Sequence, residues 1–362
     1  MSSVIGSYIQ TTVFGESHGP AIGAVMDAPP AGYKIDFEEI LIQMRRRAPG
    51  QDPTATSRKE TDVPEFLSGL LDGVTTGAPL AAIIRNSDQR SKNYDNIAAR
   101  PRPSHADFAA NIRYKGFNDV RGGGNFSGRL TAPLTTLGAV ARQILSENGI
   151  VVGGHVSCIG HSFDTPFDPV NITADELNRL NKQYFSVISE DAKVAMEKEI
   201  AEAKAQSDSI GGEVEIAVVG LPSGVGSPTV RGIENAIASA VFAVPAVKGI
   251  EFGEGFGFSS MRGSEANDEM YYDGGEVRCR TNHCGGITGG ISNGMPLIIR
   301  VALKPTPSIA IEQKTVNIDT KKDDTLKIEG RHDPCIVPRA LPAVEAAVSL
   351  ALLDLVSEVI KL

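Results

Sequence analysis

Near the start of the chain, Gly15-Glu16-Ser17-His18-Gly19 fits the pattern G-x-S-x-G. In serine hydrolases that pattern is a nucleophile elbow. It needs a strand before the serine, a helix after it, and an acid and a histidine later in the chain. Ser17 lacks this context: little chain precedes it, and "GPAIGAVMD" continues as a proline followed by a strand pattern. The histidines are better reagents. Of six, His18, His105 in "RPRPSHADF" and His332 in "GRHDPC" sit in loops beside Ser, Asp or Arg, while His283 lies in "TNHCGG" and His155 and His161 flank "VSCIG". No pair has H-x-x-x-H spacing and no C-x-x-C accompanies them, which disfavours a metal site. An imidazole titrating near neutrality can protonate a leaving group. Arg100 and Arg102 near His105, and Arg331 beside His332, add guanidinium groups that grip phosphate bidentately. These residue types point to a small phosphorylated anion, histidine acids and arginine clamps. They do not name the reaction.

The elements that must position them are mixed strands and helices. "AIGAVMDA" (21–28) predicts a strand closed by Pro29-Pro30, and "DFEEILIQMRRR" a helix with Asp36 as N-cap, Glu39 completing a capping box and Arg45, Arg46 and Arg47 in the last turn. "APLAAIIRN", "GEVEIAVVGLP" and "PLIIRVALKPTPSI" read as strands. "LTAPLTTLGAVARQILSENG" is helical in its second half, residues 173–206 form the clearest helical stretch, and "GIENAIASAVFAV" and "LPAVEAAVSLALLDLVSEVIKL" are apolar helices. No linker cuts the chain and strands do not alternate regularly with helices, so one large α/β or α+β domain is expected. Glycine clusters at "RGGGNFSGR", "GLPSGVGSP", "EGFGFSSMRGS" and "HCGGITGGISNG". One such loop is an ordinary turn. Several, interleaved with Arg, Ser, Thr and Asn, suit anion cradling by backbone N–H groups.

Composition narrows the classes further. The 362 residues carry a formal net charge of −9, which argues against general nucleic-acid binding. Between Arg85 and Arg129, however, nine Lys/Arg face four Asp/Glu. That suits a small anion, although on charge alone a solvated surface is the simpler explanation. Cys158, Cys279, Cys284 and Cys335 form no C-x-x-C pair and read as reduced, mostly buried thiols of a cytoplasmic protein. No secretory signal opens the sequence, and no run reaches the roughly 18 apolar residues of a membrane span.

Three long segments resemble the signature regions of the chorismate synthase family: "GESHGPAIGAVMDAPPAG", "GGGNFSGRLTAPLTTLGAVA" and "RHDPCIVPRALPAVEAAVSL". "RPSHADF", "DSIGGEV", "AVKGIEFGEGF", "NHCGGITGGISNG" and "ALKPTPSI" follow the family pattern between them, so the resemblance runs in order through essentially the whole chain. It implies a single domain over residues 1–362, α+β, with helices sandwiched between antiparallel sheets, and a cytoplasmic homotetramer. The implied reaction is the last step of the shikimate pathway, serving aromatic amino acid biosynthesis. It is the anti-1,4-elimination of phosphate from 5-enolpyruvylshikimate 3-phosphate. Reduced FMN is implied as cofactor, lending an electron transiently and taking the departing hydrogen at N5. The chain has no extra segment for flavin reduction, so an external flavin reductase is expected, with NADPH as one source of reductant.

Carried over residue by residue, the resemblance makes His18 the acid for the phosphate, His105 the partner of flavin N1, and Asp333 a proton relay near N5. Ser17 becomes a substrate hydrogen-bond donor. Arg46, Arg129 and Arg331 become grips for the substrate's anionic groups or the flavin. Asn125, Phe126, Ser127, Ala246, Gly289 and the run Lys304-Pro305-Thr306-Pro307-Ser308 match FMN-contacting positions. Some positions depart from the family pattern. Asn125-Phe126 stand where Arg-Ser is frequent, Gly128 where Ala is frequent, and Pro245 where Asn is frequent, while the loop "RRRAPGQDPT" is one residue longer. Two other classes remain open: a phosphate-ester hydrolase using Ser17, and a flavin-binding protein without lyase activity.

Overall fold

The computed structural model describes residues 3–50, 62–86, 99–328 and 333–360. Its first sheet grows from hairpins. β1 (Val4–Ile5) pairs with β2 (Thr11–Gly15), and β2 with β3 (Ala21–Met26) in a register that sets Gly15 opposite Ile22. After α1 (Phe37–Arg47) come β4 (Glu65–Ser68), the small hairpin β5 (Leu70–Leu71) and β6 (Val74–Thr75), and β7 (Leu80–Arg85). β7 inserts between β3 and β4, giving the antiparallel order β1-β2-β3-β7-β4. The helix α1 starts as expected at Asp36, whose carboxylate accepts the Glu38 N–H at 2.9 Å. Glu39 does not close the capping box; its carboxylate accepts from Gln43 Nε2 at 2.9 Å.

Four helices follow: α2 (Asp107–Tyr114), α3 (Thr131–Glu147), α4 (Ala174–Leu180) and α5 (Glu190–Ala205). α3 is helical from Thr131, earlier than its sequence suggests, because Pro133 falls in the first turn, where no N–H is needed. The stretch 173–206 is two helices, not one. The break at 181–189 is fixed by Asn181, whose Nδ2 donates to Val152 O at 2.9 Å, and by Ser186, bonded to Gly154 O.

The second sheet is assembled from β8 (Val151–Ile159), β9 (Ser162–Phe163), β10 (Gly212–Val219) and, after α6 (Ile233–Val241), β11 (Val247–Phe252). The short α7 (Gly263–Ala266) and the hairpins β12 (Met270–Asp273)–β13 (Glu276–Cys279) and β14 (Ile287–Thr288)–β15 (Ile291–Ser292) precede β16 (Leu297–Leu303). β16 enters the sheet to give β11-β16-β10-β8-β9, all antiparallel. A last hairpin, β17 (Gln313–Asn317)–β18 (Lys322–Leu326), leads to α8 (Val337–Val359).

α3 packs on β3 and β7 of the first sheet, α8 on β8 and β10 of the second, and α3 and α8 on each other. Helices thus lie between two antiparallel sheets, the expected α+β arrangement. The contact is close because Gly138 of α3 has no Cβ; one there would overlap Ala346 of α8. α8 is long and apolar enough to cross a membrane by composition, but 94% of that window is buried within the fold. Its polar residues are spoken for. Glu345 takes Arg46, and Asp354 accepts three backbone N–H groups, from Ser7, Tyr8 and Ile9, at 3.0, 2.6 and 2.8 Å. Cys158, Cys279 and Cys335 are buried and Cys284 half-buried, all as free thiols; burial pushes the Cys335 thiol up to about 12.

Candidate active site

Ser17 and His18 occupy the turn joining β2 to β3. It is a strand-to-strand turn in the second hairpin of the sheet, so the hydrolase elbow has no counterpart here. The Ser17 N–H donates to Gly124 O at 3.1 Å, which ties this turn to the triglycine loop. Gly122, Gly123 and Gly124 all have positive φ (58°, 85° and 51°), a conformation costly for other residues. Their missing side chains are filled by the histidines. A Cβ on Gly122 would overlap the His18 ring and stand 2.8 Å from Ser17 Oγ, and one on Gly123 would lie 3.5 Å from His105 Cε1. Consecutive glycines therefore face the two expected acids. Asp119, whose carbonyl backs Gly124, pairs with Arg121 at 2.7 Å. Arg121 first, and then His18, hold the Asp119 carboxyl below the usual range.

His105 is held from behind. Its Nδ1 lies 2.6 Å from Asp107 Oδ1 and 3.0 Å from an Arg102 nitrogen, and Arg102 also grips Asp107 at 2.7 and 2.8 Å. Burial alone would raise the Asp107 pKa, but hydrogen bonds and charge from Arg102 and His105 hold it far below the carboxylate range. An ionised Asp107 fixes the proton on Nδ1 and leaves Nε2 towards Gly123, 3.6 Å from where its Cβ would stand.

The run 304–308 closes on the same loop. Arg102 donates to Ser308 Oγ at 3.1 Å, Lys304 Nζ donates to Ser104 O, and the Lys304 N–H donates to Ala246 O at 2.9 Å. Burial, and then Lys248, hold the Lys304 ammonium below its ordinary pKa. Thr306 Oγ1 is buried with no hydrogen-bond partner among the described residues. Lys304 and Ser308 bonded to the His105 loop, with a buried Thr306 hydroxyl in want of a partner between them in the chain, fit an anionic, hydrogen-bonding cofactor such as FMN.

The arginines divide differently from expectation. Arg46 is buried in the core: Nη1 and Nη2 meet Glu345 at 2.6 and 3.1 Å, Nη1 meets Gln43 Oε1 at 2.6 Å, and Nε meets Gln183 O at 2.9 Å. With its donors taken up inside the protein, Arg46 is not available to a substrate. Its neighbour Arg47 points the other way, to Asp62 at 2.8 Å, Thr131 Oγ1 at 3.0 Å and Gly128 O at 2.9 Å. Asp62 also pairs with Arg129, which donates through Nε to Asn86 Oδ1 at 3.1 Å. Burial raises the Asp62 pKa, but Arg47 and Arg129 outweigh it and hold the carboxylate ionised. Asp333 pairs with Arg339, which donates to Arg47 O at 3.1 Å, so the C-terminal motif meets the end of α1.

Ser127 Oγ accepts the Arg129 N–H at 3.3 Å, and Phe126 lies 6.2 Å from Tyr114 in a tilted ring contact, with exposed Asn125 before it. Gly289 stands apart, at the β14–β15 turn near Gly226 and Ser227, and no described contact joins it to His105. Arg331, His332 and residues 51–61 of the longer loop lie outside the described residues. Among the described residues no group of His, Cys, Asp and Glu is arranged to hold a metal ion. Sequence reasoning missed Arg47, Asp62, Asn86, Asp107 and Arg339, and it cast Arg102 as a phosphate grip where the structure bonds it to Asp107 and His105. The only signal available was proximity to motif residues.

The family model described as chorismate synthase matches residues 9–357 of this chain. The chain belongs to the chorismate synthase family. A chorismate synthase from Dehalococcoides mccartyi is 44% identical over 361 residues, covering 98% of this chain and 96% of its own. Chorismate synthases from Methanocella arvoryzae and Thermococcus kodakarensis are each 44% identical, covering 97% and 96% of this chain and 93% and 96% of theirs. A chorismate synthase crystal structure superposes with a TM-score of 0.76 at 28% identity, covering 98% of this chain and 93% of the other. Membership in the chorismate synthase family makes the protein a lyase of the shikimate pathway.

Proposed function

We propose that the loops around His18 and His105 carry the FMN-dependent anti-1,4-elimination of phosphate from 5-enolpyruvylshikimate 3-phosphate. The observation that supports this most directly is the pair of consecutive glycines facing the two histidines. His18 donates a proton to the departing phosphate, which lowers the charge that develops on the leaving oxygen. Ser17 donates a hydrogen bond to the substrate. Arg129 grips an anionic group of the substrate, with Asp62 and Arg47 buried behind it, while Arg46 braces α1 against Glu345; Arg331 keeps its implied role. Lys304, Thr306, Ser308 and Ala246 would hold FMN, with Asn125, Phe126 and Ser127 at its edge. Reduced FMN bound there would supply a transient electron and an acceptor for the departing hydrogen. His105, with Nδ1–H fixed by Asp107, offers Nε2 to the cofactor, and Asp333, anchored by Arg339, relays a proton.

The reading extends to the whole molecule. One contiguous buried cluster from Ile9 to Val356 supports residues 1–362 as a single domain. A cytoplasmic homotetramer supplied with reduced flavin by a separate reductase, with NADPH as the electron source, completes it. An anaerobic assay of phosphate and chorismate release, with and without reduced FMN, tests the reaction. Both products only with reduced flavin is the expected result. Phosphate release without flavin would instead indicate a hydrolase using Ser17. FMN binding without product would indicate a flavin-binding protein whose departures at Asn125, Phe126 and Pro245 have cost it the reaction.

A further inference from the structure

Asn86 follows directly on β7, and the β3–β7 register, which pairs Ala21 with Arg85, brings it alongside Pro20. Its own N–H donates to Pro20 O at 3.2 Å. Its side chain makes three further bonds, all to site segments. Nδ2 donates to Glu16 O at 3.2 Å and to Gly19 O at 2.8 Å, the carbonyls that bracket Ser17 and His18. Oδ1 accepts from Arg129 Nε at 3.1 Å. The amide orientation is fixed by this set, because the reverse would turn oxygen towards two carbonyls and nitrogen towards a guanidinium. A single planar group thus joins both shoulders of the His18 turn to one of the cations of the site. Arg129 is in turn held from its far side by Asp62.

We propose that Asn86 is a positioning residue that fixes the His18 turn and the Arg129 guanidinium relative to each other. The proposal rests on the functional reading above, in which His18 is the acid and Arg129 an anion grip. In elimination the acid must sit within hydrogen-bond reach of the leaving oxygen while the anion is held elsewhere, so their separation matters more than either position alone.

Asn86→Asp is the discriminating variant. It keeps the oxygen that faces Arg129 but replaces both donors to the turn by an acceptor, whereas Asn86→Ala removes all three side-chain bonds. Amide hydrogen exchange over residues 15–19 is read first, because it does not depend on the reaction. The Ser17 and Gly19 amides are both hydrogen-bonded in the native turn, and both variants should exchange them faster. Single-turnover phosphate release and the equilibrium Kd for 5-enolpyruvylshikimate 3-phosphate are read next, with a melting curve confirming that each variant is folded. Asn86→Asp should slow release on the order of tenfold to a hundredfold with Kd within about threefold. Asn86→Ala should show the same slowing and a weaker Kd. Native exchange in both folded variants overturns the clamp. So does equal loss of rate and affinity in Asn86→Asp, which would mark a general structural role. If the unmodified protein yields no product, the functional reading fails, while the exchange result still decides the clamp.

Discussion

His105 and His155 are both histidines bonded to an aspartate, yet the fold puts them to opposite uses. His155 sits on β8 with no exposed surface, its Nδ1 2.8 Å from Asp164 and its Nε2 3.0 Å from Glu215, which faces it across the β8–β10 ladder. Phe167 closes the ring edge-on at 4.6 Å. Asp164 also accepts N–H groups from Thr165, Ile188 and Ser189, and Glu215 accepts that of Phe167. A carboxylate at each nitrogen favours the doubly protonated ring. Burial pulls its pKa down, but the hydrogen bonds to Asp164 and Glu215 prevail and raise it. His105 has its carboxylate at one nitrogen only, and its other edge faces a glycine. A neighbouring carboxylate is therefore no sign of catalysis. The second nitrogen is, when it has been left for something else.

Substitutions at the two histidines should separate these uses. His155→Ala leaves Asp164 and Glu215 buried together without their cation, and should destabilise the fold by about 3–5 kcal/mol while the folded fraction keeps its turnover. Urea unfolding beside a specific-activity measurement checks this. Alanine at His105, and equally at His18, should leave stability near native and lower turnover on the order of 10²-fold or more, about 2.7 kcal/mol of barrier. A stable, inactive His155→Ala or an unfolded, otherwise active His105→Ala would reverse the assignment.

The glycine wall gives a finer contrast. Gly122→Ala drives a methyl into His18 at a positive φ, and should cost roughly tenfold in lyase rate. Gly123→Ala, in ordinary contact with His105, should cost less. If the order is inverted, the two glycines do not set the two acids. The pH dependence of His155 is smaller and has a definite sign. Because its pKa is raised in the fold, its contribution is complete below the unfolded value of about 6.5 and fades as pH climbs through the folded value. The stability gap between the native protein and His155→Gln should therefore be wider at about pH 6 than at about pH 9. The smallest effect is expected at Ser17. Ser17→Ala should slow turnover only a few-fold, since it removes one donor from a site with several. Complete loss would sink the donor role.

Local rules carried the reading of the chain where they act alone. The Asp36 cap, the strands at Ala21–Met26 and Leu80–Arg85 and the apolar helix ending at Val359 follow from side-chain type and period. The break at 181–189 was not legible, because it depends on Asn181 and Ser186 reaching carbonyls of a strand about 30 residues away. The same holds at the site. His18, His105 and Arg129 stand out by neighbourhood, but Arg46 and Arg47 are chemically identical in sequence. Only the approach of Glu345 from α8, and of Asp62 from before β4, decides which one turns to the helix layer and which one joins the carboxylate that Arg129 shares.

The carboxylate of Asp354 bears on the order in which the molecule can be made. It receives the amides of Ser7, Tyr8 and Ile9, and the last of these pairs is separated by 345 positions. At ribosomal speeds of roughly 5–20 residues per second, the N-terminal hairpin waits on the order of 20–70 s for the helix that anchors it. Through that interval α3 is already available to cover β3, but the Ser7–Ile9 turn has no carboxylate to receive its amides.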